Sequence, residues 1–206
     1  MKPKHTLFIL IISCCINSPL SACNILLLGD SISSGYGITT QKTWANLLSS
    51  KLTEHNASLT NLSVSGYTSR SGLELLLSHL EKNTPSIVIL ELGGNDALQF
   101  ISPTVFNHHL QAIDALSNKH QFKLVVLGIE LPPNMPEGYR VMHQKAYQEL
   151  LKKHPGTLNL LEEVEKKGLF QPDRIHPNND AQSLILEKAW PHIELALKSQ
   201  CASDNQ

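Results

Sequence analysis

The chain has 206 residues, 41% of them apolar but only 5% aromatic, and a formal net charge of −1. That length suits one domain with a proper core, and a Leu/Ile/Val-rich composition points to an α/β interior rather than an aromatic binding surface. The absence of a basic excess excludes the electrostatic footprint of a nucleic-acid binder.

The chain opens with Lys2, Lys4 and His5, then an apolar run from Leu7 to Ile16, then the small residues Ser21 and Ala22. This order of charge, apolar run and small residues is that of a secretory signal. The run is too short to span a bilayer, which takes about 20 residues. We therefore expect residues 1–22 to be a signal peptide, residues 23–206 to form a single domain, and the protein to be periplasmic or secreted. Losing Lys2 and Lys4 with the signal makes the remainder more acidic by two charges.

The end of the signal has two readings. Leu20-Ser21-Ala22-Cys23 resembles a lipoprotein box, in which Cys23 would carry a lipid anchor. Alternatively, Cys14 and Cys15 leave with the signal, and the remaining pair, Cys23 and Cys201, forms a disulfide in an oxidising compartment. A first strand beginning at Asn24 leaves no tether after Cys23 and so favours soluble export, with a monomer as the default.

Next come alternating segments. Asn24–Leu28 is an apolar run that predicts a strand covered on both faces. Gln41–Leu52 places Trp44, Leu47, Leu48 and Leu52 on one helical face. Ser58–Val64 predicts a second strand, and Leu73, Leu76, Leu77 and Leu80 a helical stripe. Ile87–Leu92 predicts a third strand, followed by a helix through Phe106, Leu110, Ile113 and Leu116. Lys123–Ile129 is a fourth strand, Tyr139–Lys153 a helix, Thr157–Leu161 a short fifth strand and Asn179–Leu197 the last helix. This alternation predicts a doubly wound, mostly parallel sheet with helices on both faces, whose chemistry lies beyond the carboxyl ends of the strands.

Those ends carry Gly29-Asp30-Ser31, then Ser65-Gly66-Tyr67-Thr68-Ser69, then Gly93-Gly94-Asn95-Asp96, and finally Asp173-Arg174-Ile175-His176-Pro177-Asn178. The glycines after the first strand match neither dinucleotide nor P-loop spacing. No metal-ligand spacing such as H-E-x-x-H occurs, and Asn61 breaks a G-x-S-x-G elbow around Ser63. A serine nucleophile needs a base, usually a histidine oriented by a carboxylate, and Asp173 and His176 lie three residues apart in one loop. An oxyanion needs donors, and the Ser31 N–H, the Gly66 N–H and the Asn95 amide are candidates. Taken singly, Gly93-Gly94-Asn95 reads as a turn and Asn178 as a helix cap. Asp30 has no assigned step.

These four blocks, in this order, resemble the SGNH (GDSL) hydrolase family, and within it the bacterial thioesterase I/lysophospholipase L1/arylesterase group. The resemblance runs from Asn24 to about Leu197, with Ile32 where the family usually has leucine and Arg174 where glycine is common. It implies a three-layer α/β/α sandwich with a flavodoxin-like five-stranded parallel sheet. It also implies Ser31 as nucleophile, His176 as base, Asp173 as its orienter, and an oxyanion hole of Ser31, Gly66 and Asn95. No metal or cofactor is called for. The substrate would be a small-molecule or lipid acyl ester or thioester, with membrane contact only through that substrate or an anchor at Cys23.

We expect the pocket between two apolar lips, Ala97, Leu98, Phe100 and Ile101 on one side and Leu131, Pro132 and Met135 on the other. Glu130 stands where close relatives often carry Arg or Gln. A carbohydrate acetyl esterase and a non-catalytic surface lipoprotein are the rival readings.

Overall fold

The computed structural model describes residues 23–201, so the expected signal segment 1–22 lies outside the described residues. Five strands form one parallel sheet: β1 (Cys23–Gly29), β2 (Ala57–Asn61), β3 (Ile87–Glu91), β4 (Lys123–Leu127) and β5 (Gly156–Thr157), in the spatial order β2-β1-β3-β4-β5. Eight α-helices connect and cover them: α1 (Ser31–Ser34), α2 (Trp44–Thr53), α3 (Ser69–Leu80), α4 (Gly94–Leu98), α5 (Pro103–His120), α6 (Glu137–Leu151), α7 (Glu162–Lys167) and α8 (Gln182–Gln200). The chain is a three-layer α/β/α sandwich.

The strand runs lack polar alternation because both sheet faces are covered. Ile25 and Leu27 face one core with Trp44, Leu48, Ile185 and Ile193 from α2 and α8. Leu26 and Leu28 face the other with Leu76, Phe106, Leu110 and Tyr147 from α3, α5 and α6. Successive strand residues point to opposite faces, so each strand feeds two cores. Cys23, first in β1, is disulfide-bonded to Cys201, just past α8, with Cα atoms 5.7 Å apart. This ties the edge of one core to its covering helix.

Several boundaries differ from the sequence reading. β2 ends at Asn61, not Val64: its paired register with β1 stops at Leu27–Asn61, although the Leu62 and Val64 N–H groups still donate to the Leu27 and Gly29 carbonyls before the chain turns at Val64–Tyr67. β5 has two residues rather than five, since beyond Thr157 the chain turns into α7. Gly156 is required there: a Cβ would lie 2.0 Å from the Val126 carbonyl oxygen. α2 starts at Trp44, where Thr43 caps it by accepting from Asn46 N–H, and Thr40–Lys42 forms a 3-10 turn before it. α6 starts two residues early, and α8 starts after a 3-10 turn at Asn179–Ala181.

In this strand order the winding of the chain across the sheet reverses between β1 and β3, which opens a crevice at their carboxyl ends. Gly29 and Glu91 are the last paired residues there. The segments beginning at Asp30 and at Leu92 therefore leave the sheet side by side.

Candidate active site

Asp30 leaves β1 and caps the single turn α1, its Oδ1 accepting from Ile32 N–H at 3.0 Å. Ser31 is the first residue of that turn. Its Oγ lies 2.9 Å from His176 Nε2, although 145 residues separate the two. His176 Nδ1 lies 2.8 Å from Asp173 Oδ2. The other carboxylate oxygen accepts from the backbone N–H groups of Ile175 and His176 at 2.9 and 3.0 Å. These bonds hold the Asp173 carboxyl down to about 2, the His176 N–H contributing most, then the Ile175 N–H and the imidazole. The loop thus presents an ionised carboxylate to the imidazole and fixes Nδ1–H as the donor, leaving Nε2 to accept from Ser31.

The loop is held from outside. Gln171 N–H donates to the His176 carbonyl at 2.7 Å, and the Gln171 side-chain amide donates to Tyr36 O at 2.8 Å and Pro177 O at 3.0 Å. The Tyr36 ring lies 4.5 Å from the imidazole. The segments carrying Ser31 and His176 are therefore stapled together on the surface.

Gly66 follows β2 with φ +85°, a left-handed conformation that suits glycine, and nothing lies within 4 Å of a Cβ built there. Among the described residues, neither the Ser31 nor the Gly66 N–H donates to a protein acceptor. Asn95 lies on α4, and its Nδ2 donates to Asp30 Oδ2 and to the Tyr67 carbonyl, each at 3.0 Å. Both of its hydrogens are thus in use.

Four side chains whose roles sequence reasoning missed position this rim. Glu91, the last residue of β3, is fully buried; its Oε2 accepts from Ser33 Oγ at 2.6 Å, and its Oε1 has no partner. Burial, then the nearby Asp30 charge, pushes its carboxyl well up, so it holds a proton. Asp96, also fully buried, accepts from the backbone N–H and hydroxyl of Ser69 and so ties α4 to the start of α3. On α6, buried His143 lies 3.1 Å from the Gly93 carbonyl through Nε2, and Tyr147 donates to the Leu92 carbonyl at 2.6 Å. Burial lowers the His143 pKa, so the neutral ring donates there. His143 stacks on Phe106 with centroids 4.4 Å apart. The signals were faint but present: Glu91 interrupts an apolar strand, and His143 continues the buried stripe of Ala146, Tyr147 and Leu150.

The expected lips divide. Leu98 and Phe100 are 57% and 67% exposed, and Pro132 is also exposed; Ile101 and Met135 are half-buried. Ala97 and Leu131 are buried and form wall rather than lip. A shallow cleft of about 30 Å³ lies between Ile129–Leu131 and residues Arg140–Gln144 of α6, floored by His143. A larger cavity, about 190 Å³, lies elsewhere, where α1 and α2 meet β2, lined by Ser34, Thr40, Asn46 and Asn61.

Residues 27–184 match the model of the GDSL-like lipase/acylhydrolase family. The chain is 35% identical over 181 residues to the esterase TesA of Pseudomonas aeruginosa, covering 84% of this chain and 89% of that one. A crystal structure of TesA matches at a TM-score of 0.79 with 34% identity, covering 84% of this chain and 99% of that one. Similarity to thioesterase 1/protease 1/lysophospholipase L1 of Escherichia coli K12 is 35% identity over 170 residues, 81% of each chain. The psychrotrophic esterase EstA from Pseudoalteromonas sp., crystallised as inhibited by monoethylphosphonate, matches at a TM-score of 0.78 with 29% identity, over 85% of this chain and 99% of that one.

Proposed function

Because the chain belongs to the GDSL-like lipase/acylhydrolase family, it is a serine hydrolase of esters and thioesters, and we propose that Ser31 is its nucleophile. The observation that carries the reading is the continuous relay Asp173–His176–Ser31, with links of 2.8 and 2.9 Å. His176 Nε2 takes the Ser31 proton as Oγ attacks the acyl carbonyl, and Asp173 steadies the imidazolium that forms. The Ser31 and Gly66 N–H groups and the Asn95 amide receive the oxyanion. His176 then protonates the leaving alcohol or thiol, and water, activated by the same imidazole, releases the acid from the acyl-enzyme.

The substrate is an acyl ester or thioester whose chain rests against Leu98 and Phe100, the exposed apolar residues next to the rim. The names of the relatives, an esterase and a thioesterase/lysophospholipase, support that class. Phosphonate inhibition of the neighbour EstA supports a serine that attacks tetrahedral-mimicking reagents. The disulfide supports soluble export, since a Cys23 sulfur bonded to Cys201 is not free for lipid. Intact mass of the exported protein tests this, and a diacylglyceryl mass increment would refute it.

The reaction itself is tested with p-nitrophenyl and acyl-CoA substrates. Asn95→Ala is expected to lose about 100- to 1,000-fold in kcat with little change in KM. Equal rates for wild type and Ser31→Ala would remove Ser31 from the chemistry.

A further inference from the structure

Asp30, next to the nucleophile in the chain, is buried to 2% exposure, yet the relay does not use it. Its two oxygens are divided. Oδ1 caps α1 through Ile32 N–H, and Oδ2 accepts from Asn95 Nδ2. The chain is tightly packed beside it: a Cβ on Gly29 would lie 2.7 Å from Glu91 Oε2. Glu91, protonated beneath it, adds no second negative charge, and its Oε2 lies 3.4 Å from Asp30 N.

The Asn95 amide has two hydrogens, one on Asp30 and one on the Tyr67 carbonyl. Tyr67 follows Gly66, whose N–H is a second oxyanion donor in the reading above. One of the two bonds must therefore open before Asn95 can receive an oxyanion. The two acceptors are unequal. A buried carboxylate binds its donor about twice as strongly as a neutral carbonyl does. The Tyr67 bond is the one that yields.

We propose that Asp30 is the positioning residue of the oxyanion hole: it keeps one amide hydrogen of Asn95 and so delivers the other from the Tyr67 carbonyl to the substrate oxygen. This rests on Asn95 as an oxyanion donor. Asp30 anchors the amide, the Tyr67 carbonyl holds the second hydrogen in place between turnovers, and the arriving oxygen replaces that carbonyl without reorienting the side chain. No atom is transferred; one hydrogen bond is exchanged for another.

The same geometry gives a pH signature. Ionisable groups act on Asp30 from four directions: Glu91 at the end of β3, His176 from the loop before α8, Asp96 on α4 and Tyr147 on α6. Burial dominates and raises the Asp30 carboxyl to about 6. Below that pH the carboxyl is neutral and its hold on Asn95 weakens. On the acid side, kcat/KM then carries a component that falls as Asp30 takes up its proton.

The test is a double-mutant cycle on kcat. Asparagine in place of Asp30 has a single carbonyl oxygen, so it can serve Ile32 N–H or Asn95 but not both. Asp30→Asn is expected to lower kcat about 10- to 100-fold, the worth of a charged hydrogen bond, with KM nearly unchanged and the Asp30 component gone from the acid limb. In the Asn95→Ala background the same substitution should have no further effect. The proposal is overturned if Asp30→Asn stays within twofold of wild type, or if it slows Asn95→Ala by its full factor. A fully active Asn95→Ala single variant would instead remove the oxyanion reading beneath it. If Asp30→Asn does not fold, NMR of the Asn95 side-chain amide in the His176→Gln protein decides. A titration centred above about 6, since the His176 charge that lowers the Asp30 carboxyl is absent, supports the anchor, and pH-independent amide resonances overturn it.

Discussion

Gly93 concentrates two constraints on the segment that carries Asn95, and their separate costs can be measured. Its φ is +135° and ψ −19°, a region essentially closed to residues with a side chain. An added Cβ would also lie 2.2 Å from Tyr147 Oη and 2.8 Å from Phe106 Cζ, both in the packed core under α6. The backbone term costs about 1–3 kcal/mol and the overpacking about 1–3 kcal/mol, so Gly93→Ala is expected to lose about 2–6 kcal/mol. Gly66→Ala is the control: φ is +85°, but nothing lies within 4 Å of its Cβ, so only a backbone cost of about 1–2 kcal/mol applies. Urea unfolding at constant m-value measures both. Tyr147→Phe removes the oxygen that the new methyl would strike, while leaving the Leu92 carbonyl without its donor. Gly93→Ala and Tyr147→Phe together should therefore cost less than the sum of the two. The reasoning fails if Gly93→Ala is no costlier than Gly66→Ala, or if the pair is strictly additive.

Replacing both Cys23 and Cys201 by serine opens a link spanning 178 residues; the expected loss is about 2–4 kcal/mol, or about 4–16 °C in Tm by calorimetry, and an unchanged Tm would contradict it. Glu91 holds its proton in the folded state because its pKa is raised above the ordinary 4.5. Its contribution to stability therefore declines as pH rises from that value toward the folded pKa, and the Tm of Glu91→Gln relative to wild type should rise as pH increases above 4.5; a relative Tm that falls would reverse the sign. Phe100→Ser should raise KM for an octanoyl ester about 3- to 10-fold while leaving an acetyl ester unaffected, because only the long chain reaches that apolar surface. Equal KM changes for both esters would remove Phe100 from the acyl path.

The strands were legible because burial on both faces leaves continuous apolar runs, and the alternating pattern then dictated a parallel sheet. The convergence of Ser31, Gly66, Asn95 and His176 followed from reading what comes after each strand. The short elements were not legible. α1 and α7 have four and six residues, too few for a helical period to register. β5 is a strand only because Gly156 lets it pass under the Val126 carbonyl. The supporting residues were hidden for another reason: their partners are remote in sequence. Glu91 reaches Ser33 across 58 residues and His143 reaches Gly93 across 50, and a single polar residue in an apolar stripe does not announce its contact. Asp30 was conspicuous in the sequence, but its role depends on the bond to Asn95 across 65 residues.

The most direct measurement of the central claim is covalent labelling with a fluorophosphonate, followed by peptide mass spectrometry. Stoichiometric modification confined to Ser31, lost in Ser31→Ala and strongly slowed in a folded His176→Ala variant, is the predicted result. Modification at another serine, or none in a protein that hydrolyses esters, would contradict the assignment of Ser31 as nucleophile.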